Sequence, residues 1–319
     1  MNSRKSKIIW GIIFGLVGLA LVLYVGILMY VNNQIANKVV PQVRSTFIKR
    51  AVFDDRKQWM KKYGDLKADK KNVNSEDLLN DMITDANRHG SLDDSDEETV
   101  TMPDSTYPES VDNIKGVTWI NMPTLGTYSY SKARSYARTI SHDIKEAKNG
   151  VVIDLRDNRG GLVEPMILGV SSLIPDGTLF SEVNNKNKTY DFKLKDKRVI
   201  NELSETYTSD YRKDSKLGGK RLKMKVAVLT NGDTSSAAEA TLLSLRNSKK
   251  VKVFGTNTDG LTSSNTDDFY SGFGYQYAVV YPIAWWKDNS GHVYHNHPIK
   301  PDVKTTSENL QQKLDNYFK

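Results

Sequence analysis

The chain of 319 residues contains no cysteine. A thiol nucleophile, a thiolate-bound zinc and an iron–sulfur cluster are therefore excluded, and no disulfide braces the fold. Histidine is scarce as well: His89, His142, His292, His295 and His297 are the whole supply. No H-E-x-x-H pair occurs, so the helix that carries zinc in many metallopeptidases is missing. Charge is absent from Ile8 to Val31, directly after Arg4, Lys5 and Lys7. Lys and Arg exceed Asp and Glu by 45 to 38, but the two signs are interleaved along the chain. That pattern reads as a solvated basic surface, and no nucleic-acid partner is expected.

The uncharged run is long enough to cross a bilayer. A cleaved signal peptide and a retained anchor are the two readings. The run exceeds the usual signal-peptide apolar core and no small-x-small site follows Tyr30, which favours an anchor. The basic residues before it place residues 1–7 in the cytoplasm, residues 8–31 in the cell membrane and the rest outside.

Beyond the span, 35–90 read as a helical cap. Val40, Val43, Phe47, Val52 and Phe53 fall at helical spacing, and Asn74 precedes the stripe Leu78, Leu79, Met82, Ile83. Residues 91–115 form an acidic linker with Pro103 and Pro108. From Gly116 strands and helices alternate. Val117–Asn121, Val151–Leu155, Val226–Leu229 and Val251–Phe254 read as strands, and Ser129–Lys148, Leu162–Leu173 and Ala237–Leu245 as helices. Alternation of this kind predicts an α/β core with a mostly parallel sheet over 116–305, followed by a C-terminal helix or tail over 306–319. Lys186–Lys220 is a polar excursion, and Tyr275–Ile283 and His292–Tyr294 are candidate later strands.

Two loops carry the chemistry. Val226–Thr230 ends in Asn231-Gly232, and Thr234-Ser235-Ser236 then opens an alanine-rich helix. A strand–turn–helix of this type exposes a serine at the mouth of a sheet, with backbone N–H groups facing the same point. Upstream, Val151–Leu155 leads into Gly160-Gly161, where close backbone approach is possible.

Four ordered motifs resemble the S41 peptidases, the tail-specific and C-terminal-processing protease family. They are Asp154-Leu-Arg-Asp-Asn-Arg-Gly-Gly161, Thr234-Ser-Ser-Ala-Ala-Glu239, Gly255-Thr-Asn-Thr-Asp-Gly260 and Pro301-Asp302. The resemblance implies a crotonase-like or ClpP-like core, a polypeptide substrate, no cofactor and no metal. It puts the nucleophile at Ser236, three residues before Glu239, with Ser235 as the other register. The oxyanion donors are then Ala237 with Gly160 or Gly161. In the serine–lysine branch a lysine follows the last glycine of the third motif; here Leu261 stands there. The interval from His89 to Gly116 is also too short for a PDZ domain. The histidine-base, tricorn-like branch takes its base from the end of the helical N-terminal part, which here is His89. It also uses a glutamate where this chain has His295, leaving His295 as a substitute orienting residue or as the base itself. The readings left are a membrane-anchored serine endopeptidase, an inactive S41-like domain that binds peptides or cell-wall components, and a metal site at the His292, His295, His297 cluster.

Overall fold

The computed structural model describes residues 3–65, 74–93, 99–127, 129–204, 206–207, 214–218 and 222–319. Parts of the expected acidic linker and of the polar excursion 186–220 lie outside these residues. The chain divides into two compact units, one of residues 1–95 with 265–282 and one of 96–264 with 283–319. This division departs from the boundaries read in the sequence. Residues 265–282, placed in the core by the pattern, group with the N-terminal unit, and 96–115 group with the second.

In the first unit α1 (Ser3–Gln34) runs through a short π-helical stretch, Ile35–Val39, into α2 (Val40–Arg50). Ile8–Tyr30 are exposed along α1, which is long and apolar enough to cross a membrane. Helix α2 buries Val43 and Phe47 but stops at Arg50, because Ala51 turns extended; Val52 thus lies beyond the helical face expected for it. Helix α3 (Arg56–Tyr63) starts at Asp55, whose carboxylate accepts from Gln58 N–H. Helix α4 (Ser75–Ala86) starts at Asn74 and buries Leu79, Met82, Ile83 and Ala86. Trp59 joins the two helices by donating Nε1–H to Met82 O at 2.8 Å and stacks on Phe47. Strand β1 (Ser91–Asp93) pairs antiparallel with Val280–Ala278.

The second unit is built on five parallel strands. In chain order they are β3 (Val117–Asn121), β5 (Gly150–Asp154), β10 (Lys225–Thr230), β11 (Val251–Gly255) and β14 (Val303–Lys304), and in space β14-β11-β10-β5-β3. Side chains alternate across this sheet with period two. Val151, Ile153, Val226, Val228 and Val253 face α5 (Tyr130–Glu146), α6 (Val163–Val170) and α7 (Ala237–Leu245). Val152, Ala227, Leu229 and Phe254 face α8 (Leu310–Phe318) through Leu310 and Leu314. Both faces are covered, which explains the near-continuous apolar strands.

The smaller strands are β2 (Thr99–Val100) with β4 (Leu125–Gly126), and the antiparallel run β6 (Gly177–Asn184), β7 (Thr189–Lys195), β8 (Arg198–Asn201) and β9 (Thr206–Tyr207). The last two strands are β12 (Ser263–Gly272) and β13 (Tyr275–Lys287). Residues 284–287 of β13 pair with β6 in the second unit. His292–Tyr294 form no strand; Val293 makes a single bridge to Lys287.

Candidate active site

The site is assembled where β5 and β10 end. Parallel strands present their carboxyl ends at one edge, the usual place for chemistry on open α/β sheets. After β10, Asn231 N–H donates to Thr234 Oγ1 at 3.0 Å and Thr234 Oγ1 donates to Leu155 O at 2.8 Å, pinning the loop to β5. Thr234 and Ser235 are buried, whereas Ser236 is half-buried. Of the two registers considered, Ser236 is the more exposed serine.

Ser236 has φ 53° and ψ −120° and stands at the N-cap of α7. A residue with a Cβ avoids this region, at a cost of order 1–3 kcal/mol, so surrounding bonds must enforce it. Glu239 supplies them. Its side chain is fully buried and accepts from Ser236 N–H at 3.0 Å, from Thr258 Oγ1 at 2.5 Å and from Gly260 N–H at 2.9 Å. Burial pushes its carboxyl up to about 7 against the pull of these donors. The motif 255–260 is thus explained physically. Gly255 is at φ 121°, where a Cβ would lie 2.0 Å from Thr230 O, and Thr258 and Gly260 clamp Glu239.

The glycine loop comes from β5. Asn158, fully buried, donates Nδ2–H to Met122 O at 2.6 Å, and its carbonyl accepts from Ser235 N–H at 3.0 Å. Asn158 Oδ1 accepts the Gly160 N–H at 2.8 Å. Of the two glycines expected as donors, Gly160 thus has its N–H committed to Asn158. Its place is steric: at φ 98°, a Cβ there would lie 2.8 Å from Ser236 Cβ and 3.0 Å from Ala237 N. Gly161 bridges Leu125 in parallel, with Leu125 N–H bonded to Gly160 O and Leu162 N–H to Leu125 O. The N–H of Gly161 itself therefore points away from β4. The Ala237 N–H is one of the orphan donors at the first turn of α7.

His295 lies in the second unit at φ 44°, its ring edge-on to Trp285 at 5.5 Å. Partial burial, then the neighbouring His297 and His292, hold its imidazole below the usual histidine range. The rest of the cluster diverges: His292 packs on Tyr294 at 4.6 Å, and His297 Nδ1 meets Tyr294 O at 2.7 Å. Among the described residues no three His, Asp or Glu side chains gather as a metal site. Leu261 is half-buried in the second unit. His89 belongs to the first unit, on the turn after α4, its N–H bonded to Asn87 Oδ1 at 2.9 Å and its carbonyl to Asn265 Nδ2 at 3.1 Å.

Pro301-Asp302 secures the sheet edge. Asp302 Oδ2 accepts from Val253 N–H at 2.8 Å, and Asp302 N–H returns a bond to Val253 O at 2.9 Å.

A strained serine at a strand-to-helix turn, beside a glycine loop and an orphan amide, defines an α/β domain of the serine-hydrolase kind. Comparison with known proteins carries this further. The profile described as Peptidase family S41 matches residues 116–305, more than half of the chain, and the chain belongs to that family of serine-type peptidases. The nisin-resistance protein of Lactococcus lactis subsp. lactis is 36% identical over 179 residues, covering 56% of this chain and 53% of that protein. The carboxy-terminal processing protease CtpA of Bacillus subtilis (strain 168) is 27% identical over 205 residues, covering 64% and 38% respectively. The chain thus spans about half the length of the first relative and less of the second. The structure of a lipoprotein from Streptococcus agalactiae matches with a TM-score of 0.66 at 20% identity, covering 90% of this chain and 96% of that one. The two share a fold.

Proposed function

We propose that the protein is a membrane-anchored serine endopeptidase acting outside the cytoplasm, with Ser236 as nucleophile. The observation that carries this is the enforced Ser236 backbone at the α7 N-terminus. It holds the half-buried Ser236 at the start of α7, with Gly160 packed against its Cβ. Ser236 Oγ attacks the scissile carbonyl, and the amides of Ala237 and Gly161 receive the developing oxyanion. Such donors are worth about 3–4 kcal/mol each to the transition state. His89 takes the hydroxyl proton and returns it to the leaving amine, as the histidine-base branch of the family implies. Water then hydrolyses the acyl-enzyme. His295 orients this set, standing where that branch has a glutamate. The reading of α1 as an anchor, with Arg4, Lys5 and Lys7 on the cytoplasmic side, rests on its length, its apolarity and its exposure.

A fluorophosphonate probe tests the nucleophile. The intact protein takes up the label and Ser236→Ala does not, while both unfold at the same urea concentration. Labelling that survives Ser236→Ala refutes the assignment. His89→Ala lowers turnover by about 10²-fold or more with little change in KM if His89 is the base. Nisin, named in the Lactococcus lactis relative, is the first peptide to assay.

A further inference from the structure

Where the aromatic residues of α1 fall sets the height of the first unit against a bilayer. Of the exposed aromatic residues of α1, Trp10, Phe14, Tyr24 and Tyr30, the first and the last lie nearest the ends of the apolar run. They are twenty residues apart, which at the helical rise is about 30 Å. That matches a hydrocarbon core of about 30 Å, with one aromatic residue at each interface. Tyr30 therefore marks the outer interface when α1 spans.

The tip of the β12–β13 hairpin meets α1 at that level. Phe273 lies with its ring 6.5 Å from Tyr30, edge-on at 67°, and a Cβ on Gly274 would lie 2.8 Å from Val31 Cγ2. Among the described residues outside α1, Phe269 and Phe273 are the most exposed large apolar side chains, at 72% and 68%. Strand alternation puts Asn265, Asp267, Phe269 and Ser271 on the exposed face of β12. Along that face the side chains pass from polar to aromatic towards the tip.

We propose that this tip is a second membrane contact: Phe269 and Phe273 enter the boundary between headgroups and acyl chains of the bilayer that α1 crosses. This rests on the anchor reading given above. Asp267, two residues and about 7 Å back along the strand, stays in water and limits the insertion to a shallow one. A single helix leaves the attached unit free to turn about the helix axis, and a second contact beside it fixes one face of that unit towards the lipid.

The absence of cysteine makes the test direct. Nitroxide labels are placed singly through Ser271→Cys, Val17→Cys and Ser290→Cys in the full chain, reconstituted in phosphatidylcholine–phosphatidylglycerol vesicles. Accessibility to oxygen is compared with accessibility to a water-soluble nickel chelate. At position 271, between the two phenylalanines, the oxygen-to-nickel ratio is expected to exceed that at 290 several-fold. It should fall to the value at 290 when Phe269→Ser and Phe273→Ser are added. A deep label at 17 with a water-exposed label at 271 overturns the hairpin contact and leaves the anchor standing. So does a lipid-exposed label at 271 that ignores the two serine substitutions. Water exposure at both 17 and 271 overturns the anchor, and the hairpin contact with it.

Discussion

At Glu239 three donors converge on one buried carboxylate, and the consequences reach the reacting atom. Its two oxygens serve Ser236 N–H on one side and Thr258 with Gly260 on the other. A glutamine keeps the shape but has one oxygen, so its NH₂ must confront an N–H or a hydroxyl that also needs an acceptor. Glu239→Gln should destabilise the protein by about 1–3 kcal/mol. It should also lower kcat more than it raises KM, because the elbow that aims Ser236 loosens. Unchanged kcat with unchanged stability would show that the clamp is dispensable.

At the scale of elements, two loops from neighbouring strands hold one geometry, and their closest approach is at a glycine. Gly160→Ala places a methyl 2.8 Å from Ser236 Cβ and 3.0 Å from Ala237 N, on a backbone already at φ 98°. A displacement of the elbow by about 1 Å is expected to cost about 10²-fold in kcat. Gly177→Ala is the control, because it also has positive φ, at 137°, yet a Cβ there meets nothing within 4 Å. Comparable strain without the clash should leave kcat unchanged. Equal losses in the two variants would mean that backbone strain, rather than contact with the elbow, is responsible.

Across the whole molecule, pH acts through buried glutamates. Glu182 is fully buried on β6, accepts from Ser264 and from Asn201 Nδ2, and leaves Oε2 without a partner. Burial raises Glu182 and Glu239 to about 7 from an ordinary 4.5. Raised values mean that the folded state binds the protons more tightly than the unfolded chain. Their contribution is therefore full below about pH 4.5 and is lost as pH rises through about 7, by up to about 3 kcal/mol for each. Asp85 and Asp214 work in the opposite sense: hydrogen bonds from Lys62 and Tyr63 lower the first, and those from Arg138 and Arg134 outweigh burial to lower the second. Their contribution is present above the ordinary aspartate range and is lost as pH falls through their folded values. Urea midpoints should decline from pH 5 to pH 8, and Glu182→Gln should flatten that decline. A decline of the same slope in Glu182→Gln would remove Glu182 from the account.

Local chemistry settled much of this in one dimension. The run from Ile8 to Val31, the helix start at Asn74 and the apolar strands were legible because each depends on neighbours within a few residues. The order of the four family motifs likewise pointed to Ser236 and Gly160-Gly161 before any coordinates. Contacts distant in sequence were not legible. Asn158 reaching Met122, Thr258 reaching Glu239, and residues 265–282 joining the N-terminal unit all join segments whose spacing carries no periodic signal. The difference in exposure between Ser235 and Ser236 was of the same kind. Both are hydroxyls at a helix start, and only the packing of β5 against β10 buries one and leaves the other open.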